Sequence, residues 1–176
     1  TYANPDGTVA ETDGTWDYTN EVVYPFGYGL SYTTFEQTLD SVEISGDKKT
    51  AAVSVTTENT GDYAGKAVVQ VYAQVPYTDY DKQYHIEKSA VQLLDFEKTN
   101  LLQPGERQTI TMEIDMANLA SYDSEHAGTY VVTPGDYYLA VGEDSHDALN
   151  NILAAQGKTT EDGICLLYTS DAADDM

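Results

Sequence analysis

Cysteine is nearly missing from this chain: Cys165 is the single example in 176 residues. One thiol closes no internal disulfide and holds no zinc ion by itself, so disulfide frameworks and cysteine-based metal centres are excluded. Basic residues are also scarce, 8 Lys and Arg against 30 Asp and Glu, for a formal net charge of -22. A phosphate backbone is bound by clustered Lys and Arg, so a nucleic-acid partner is excluded. The acidic residues are scattered along the whole length, the pattern of a solvated surface. No apolar run approaches the roughly 20 residues of a bilayer-spanning helix, and no membrane partner is expected.

What is present is enough apolar material, 41% of residues, for one well-cored domain with flanking pieces. Residues 1 to 23 are rich in Thr, Asp, Asn and Gly, with Trp16 and Tyr18 as isolated anchors, and read as a long loop. From Phe35 onward the apolar period becomes two, the mark of half-buried strands. Leu39, Val42 and Ile44 suggest a first strand, and Val53, Val55 and Thr57 a second, followed by a turn at Asn59-Thr-Gly61. Val69, Val71 and Ala73 share one face of a third strand whose other face, Val68, Gln70 and Tyr72, is also largely apolar, as suits a central strand. Leu93, Leu94 and Phe96 follow, then a type II turn at Pro104-Gly105 and a strand through Ile110, Met112 and Ile114. Tyr130 and Val132 lead through Pro134-Gly135 into Tyr137, Leu139 and Val141, read as a final hairpin. About seven short strands with a turn signal every 8 to 12 residues predict an all-β, immunoglobulin-like sandwich. Apolar residues at 149, 152 and 153 predict one or two turns of amphipathic helix after it.

Residues 24 to 36, Tyr-Pro-Phe-Gly-Tyr-Gly-Leu-Ser-Tyr-Thr-Thr-Phe-Glu, set Gly27 and Gly29 among Phe26, Tyr28 and Tyr32. The composition fits a domain seam, where glycines let the chain turn tightly and rings fill a neighbour's surface, and equally an ordinary turn with exposed aromatics. The string resembles the junction in family 3 glycoside hydrolases, the β-glucosidase family, between the second catalytic domain and a fibronectin type III-like domain. The resemblance extends through Glu58-Asn-Thr-Gly61, Gly65 to Gln70-Val-Tyr72, Leu94-Asp-Phe96, Leu102-Gln-Pro-Gly105 and Pro134-Gly-Asp-Tyr-Tyr-Leu-Ala-Val-Gly142, in order. It implies three parts, and the tail makes a fourth. Residues 1–34 are the end of a catalytic α/β sandwich domain with the seam, and 35–147 are the fibronectin type III-like domain. Residues 148–164 begin a truncated C-terminal extension, and 165–176 resemble a translated sequencing adapter, with the natural sequence expected to stop near Ile164. The chain opens on Thr1 rather than Met, and its natural start is expected upstream.

Retaining glycosidases need two carboxyl groups about 5 to 5.5 Å apart. The resemblance implies an aspartate of an N-terminal barrel and a glutamate of the second domain, both outside this sequence. No residue here is therefore expected to be catalytic, and no cofactor or metal is expected. Asp79 with Asp81, and Glu143 with Asp144, are expected to be solvated. His85, His126 and His146 are widely separated, and Asp144-Ser-His-Asp147 lacks the twelve-residue calcium-loop pattern. Gly27-Tyr-Gly29 lacks the third glycine of a dinucleotide loop, and Ser31 lies in no Gly-x-Ser-x-Gly frame. Tyr77, Tyr80 and Tyr84 cluster in a long connection and are candidates for the edge of a substrate cleft. The expected role is thus a non-catalytic module, inactive alone. Its partners are the catalytic domains of the same polypeptide and, in the complete enzyme, a β-glycoside with a terminal non-reducing sugar, hydrolysed with retention. The alternative is a free-standing carbohydrate-binding or adhesion sandwich.

Overall fold

Period-two alternation becomes two antiparallel sheets in the computed structural model, which describes residues 22–159. Most of the leading loop and the adapter-like tail, with Cys165, lie outside the described residues. In chain order the elements are β1 (Phe35–Ile44), β2 (Thr50–Asn59), β3 (Val68–Gln74), α1 (Asp79–Gln83), β4 (Gln92–Lys98), β5 (Arg107–Asp115), a 3₁₀ turn (Met116–Leu119), β6 (Ser121–Asp123), β7 (Thr129–Val131), β8 (Tyr138–Val141) and α2 (Ser145–Ala155). One sheet runs β1-β2-β5 and the other β4-β3-β8, while β6 and β7 form a separate hairpin. The chain is the expected all-β sandwich.

The core lies between the sheets. Ala51, Val53 and Val55 of β2 and Ile110, Met112 and Ile114 of β5 pack on Val69 and Val71 of β3. As expected of a central strand, β3 is buried on both faces from Val69 to Gln74. Its outer row meets α2, where Tyr72 and Ala140 pack on Ala148 and Ile152. The turn after Leu102 has the type II form: Gly105 has φ +78°, and Glu106 N donates to Gln103 O at 2.9 Å. In β1 the odd spacing of Leu39, Val42 and Ile44 is explained by a register shift between Leu39 and Ser41. The extra residue, Asp40, returns all three to one face, opposite Val55, Val53 and Ala51.

Three expectations are corrected. β7 and β8 form no hairpin: β7 pairs with β6, and β8 pairs with β3. The pairing is long-range, and the turn between them lies against the loop after β3, where a Cβ on Gly135 would meet Pro76 Cβ at 2.6 Å. The boundary expected between Asp147 and Ala148 falls inside α2, whose Ala148 and Ile152 are buried against the sandwich. Asp81 is not solvated but fully buried, paired with Lys88 Nζ at 2.8 Å.

Candidate docking surface

The connector, residues 22–34, first meets the sandwich through the backbone of residues 26 and 27. Gln70 and Tyr72 are i and i+2 on β3, so both leave the outer face of the sheet and converge beneath residues 26 and 27. The Gln70 side-chain amide donates to Gly27 O at 3.1 Å and to Glu143 O at 2.6 Å, using both of its protons. Its oxygen accepts from the Tyr72 hydroxyl at 2.7 Å. That buried hydroxyl, 3.4 Å from Phe26 O, has its pKa pushed up to about 12 by burial and by the Asp144 charge. Phe26 O also accepts from Ser145 N at 2.8 Å, which satisfies one of the free donors at the start of α2. Gly27 sits at φ +89°, and a Cβ there would collide with Gln70 Oε1 and the Tyr72 hydroxyl. Gly29 has open space around it.

A second pin lies six residues further on. Asn59 is fully buried at the end of β2. It accepts from Thr33 Oγ1 at 2.8 Å and from Gly61 N at 3.1 Å, and it donates to Tyr63 O at 2.7 Å and Leu102 O at 2.9 Å. One side chain thus ties the connector, the turn after β2 and the loop before β5 together.

With its backbone held, the connector leaves its apolar side chains outside: Val23 is 79% exposed, Tyr24 68%, Phe26 66%, Leu30 88% and Tyr32 97%. Tyr28 is half-buried, its ring 5.0 Å from that of Tyr24. Of the expected seam rings, Phe26 and Tyr32 are free of the sandwich. Val23, Tyr24 and Leu30, unmarked by the sequence reading, join them. So dense a run of exposed apolar side chains on one segment is the composition of a covered surface.

The tyrosine loop is organised differently. Thr78 caps α1 in a reciprocal box with Asp81, whose other oxygen holds Lys88. Lys88 Nζ also reaches Pro76 O at 2.8 Å and Thr133 Oγ1 at 2.9 Å, which fixes both ends of the loop. The Tyr80 hydroxyl donates to Asp123 Oδ2 at 2.5 Å, and that hydrogen bond, with desolvation, pushes its pKa up to about 12. The same bond, helped by the backbone N–H groups of His126, Ala127 and Glu125, holds the Asp123 carboxyl below the usual carboxylate range. Tyr84 stacks on His126 with centroids 4.3 Å apart, and Tyr80 packs 4.7 Å from Tyr84. The Tyr77 ring lies beneath the Lys82 ammonium at 5.7 Å. Tyr80 and Tyr84 therefore hold the β6–β7 hairpin onto the loop. The Asp144 group is occupied in capping: Asp144 accepts from the backbone N–H of His146 and Asp147, and Asp147 accepts from Glu143 N.

The family model of the fibronectin type III-like domain matches residues 67–145. The chain carries a fibronectin type III-like domain of the kind found in β-glucosidases. It is 38% identical over 131 residues to a β-glucosidase of Kluyveromyces marxianus, a match covering 74% of this chain and 14% of that protein. It is 37% identical over 145 residues to an exo-α-(1→6)-L-arabinopyranosidase of Bifidobacterium longum, covering 81% and 18%. Among solved structures, β-glucosidase 3B of Thermotoga neapolitana, in complex with α-D-glucose, superposes with a TM-score of 0.59 at 42% identity, covering 71% of this chain and 16% of that one. The chain thus spans less than a fifth of the length of these relatives. The resemblance to the β-glucosidase family read from residues 24 to 36 and the five later blocks is borne out.

Proposed function

We propose that this fibronectin type III-like domain is the non-catalytic module of a β-glucosidase-like hydrolase that cleaves terminal non-reducing β-linked sugars with retention, and that it docks on the catalytic domains of the same polypeptide through residues 22–34. The observation that carries the reading is the division of the connector. Its carbonyls are tied to the sandwich by Gln70 and Ser145, while Tyr24, Phe26, Leu30 and Tyr32 face away. Residues 1–34 then form the end of the preceding domain with the seam, and the module runs from Phe35 through α2. The relatives carry different sugar names on one kind of module, which supports placing substrate choice elsewhere. The tyrosine loop, with Tyr77, Tyr80 and Tyr84, is proposed as an edge of the cleft.

Three measurements test this. The complete polypeptide hydrolyses an aryl β-glucoside and residues 1–176 do not; turnover by the short chain that is lost on a point change within it overturns the reading. In the complete polypeptide Tyr24, Phe26 and Tyr32 are shielded from a collisional fluorescence quencher, and equal quenching in the two forms removes the docking assignment. Tyr77→Ala raises KM with kcat unchanged, and an unaltered KM removes the cleft edge.

A further inference from the structure

Two of the three histidines meet at one joint. His85 lies in the loop between β3 and β4, just after α1, and His126 lies in the turn of the β6–β7 hairpin. The hairpin is a separate two-stranded sheet of three residues a strand, an element that is marginal without outside support. Support comes from the loop. His85 Nδ1 stands 2.9 Å from Glu125 Oε2, Tyr80 reaches Asp123, and Tyr84 stacks on His126. His85 adopts φ +51°, a left-handed angle uncommon outside glycine. The next residue, Ile86, is buried, and its N–H donates to Asp81 O at 2.9 Å, so the imidazole leaves a fixed backbone.

Hydrogen bonding decides where each ring carries its proton. An ionised carboxylate only accepts, so His85 donates to Glu125 through Nδ1–H. The Tyr80 hydroxyl gives its one proton to Asp123 Oδ2. Toward His126 Nδ1, 3.2 Å away, the tyrosine oxygen therefore accepts, and Nδ1 is again the donor. Each ring takes up its second proton at Nε2, which breaks neither bond. The charge arrives where it is favoured: His85 then makes a charge-assisted bond to Glu125. The His126 cation lies 4.3 Å over the Tyr84 ring and 3.9 Å from Asp123 Oδ2. Across residues 79–88 and 121–131 the carboxylates are Asp79, Asp81, Glu87, Asp123 and Glu125, against Lys82 and Lys88. Lys88 is paired with Asp81 and Lys82 sits over Tyr77, so neither opposes the two imidazoles at the joint.

We propose that His85 and His126 make the joint between the β6–β7 hairpin and the α1 loop a pH-sensitive clasp, tightened when the imidazoles are protonated and loosened when they are neutral. Glu125 raises the His85 pKa above its ordinary value, first through the hydrogen bond and then through its charge. A group raised in the folded state stabilises fully below its unfolded value, about 6.5, and loses that contribution as pH rises through the folded one. The clasp loosens on the alkaline side of about pH 6.5, whereas Asp123 acts only in acid. Through Tyr80 and Tyr84 the change reaches the loop proposed as the cleft edge; that reach alone rests on the proposed function.

Histidine NMR and hydrogen exchange on the 176-residue chain test the clasp. The neutral rings of His85 and His126 show the Nδ1–H tautomer in two-bond nitrogen–proton spectra. Relative to residues 68–74, the amides of 125–131 are protected about two- to five-fold more at about pH 5.5 than at about pH 8.5, the worth of one or two exposed pairs. His85→Gln combined with His126→Phe keeps a donor toward Glu125 and a ring on Tyr84 but neither charge, and it abolishes that difference. Nε2–H rings, equal protection at both pH values, or a difference that survives the double change each overturns the proposal. Aryl-glucoside hydrolysis by the complete polypeptide reports separately on the proposed activity, so either reading can fail while the other stands.

Discussion

Gly27 shows what a residue's neighbours decide. Its composition reads as a tight turn, and the turn is there, but the requirement for glycine comes from Gln70 and Tyr72 behind it, more than 40 positions away in sequence. Such a partner is invisible to local pattern. The same holds for Asn59, which reads as a turn residue and proves to be a buried hub, and for Asp81, whose partner Lys88 is what permits its burial. Gly27→Ala meets both a left-handed φ and a collision, and is expected to lower unfolding free energy by about 1–3 kcal/mol in urea titration. Gln70→Leu, which strands Gly27 O and Glu143 O, is expected to cost about 1–3 kcal/mol as well. Asp123 sets a pH dependence. Its folded pKa lies below the unfolded value of about 3.9, so its stabilisation is present above that value and is lost as pH falls through the folded one. Tyr80→Phe removes the largest cause of the shift. The stability difference between wild type and this variant is therefore expected to shrink between neutral pH and pH values below about 4; a difference that persists in acid contradicts the assignment.

At the scale of elements, period-two alternation located β1 to β5 because each has one face committed to a core. Pairing was less legible. Tyr130 and Tyr137 flank a change of sheet and not a hairpin, since β7 pairs with β6 and β8 with the distant β3, a choice no turn signal encodes. α2 was visible as an apolar stripe at 149, 152 and 153, yet the buried residues are His146, Ala148 and Ile152. A small residue such as alanine contributes little to the stripe while allowing the close approach to Gly142, whose added Cβ would stand 2.5 Å from Ala148 N. Since Ile152 packs on Tyr72 and Ala140, Ile152→Ala is expected to cost about 2–5 kcal/mol. Asp144→Ala, which removes the cap, costs about 1 kcal/mol. If α2 were instead the start of an independent extension, both changes would leave the sandwich's urea midpoint unmoved.

For the whole molecule, the division between pinned backbone and free side chains separates two properties that are usually mixed. Tyr24, Phe26, Leu30 and Tyr32 contribute exposed apolar area, whereas the sandwich grips the carbonyls of Phe26 and Gly27. Changing all four to Ser should therefore leave the melting temperature of the 176-residue chain within error, while its tendency to self-associate falls. The formal charge of -22 opposes that association at low salt, so sedimentation shows the difference best at about 0.15 M salt or above, where repulsion is screened beyond roughly 8 Å. In the complete polypeptide the same four changes act on a covered surface and should lower stability, each buried aromatic ring being worth about 3–5 kcal/mol on truncation. The two contexts must give opposite answers if these side chains serve a neighbouring domain. Loss of cooperative unfolding in the short chain, with no effect in the complete one, would instead place the rings in the sandwich's own core and move the domain boundary toward the N-terminus.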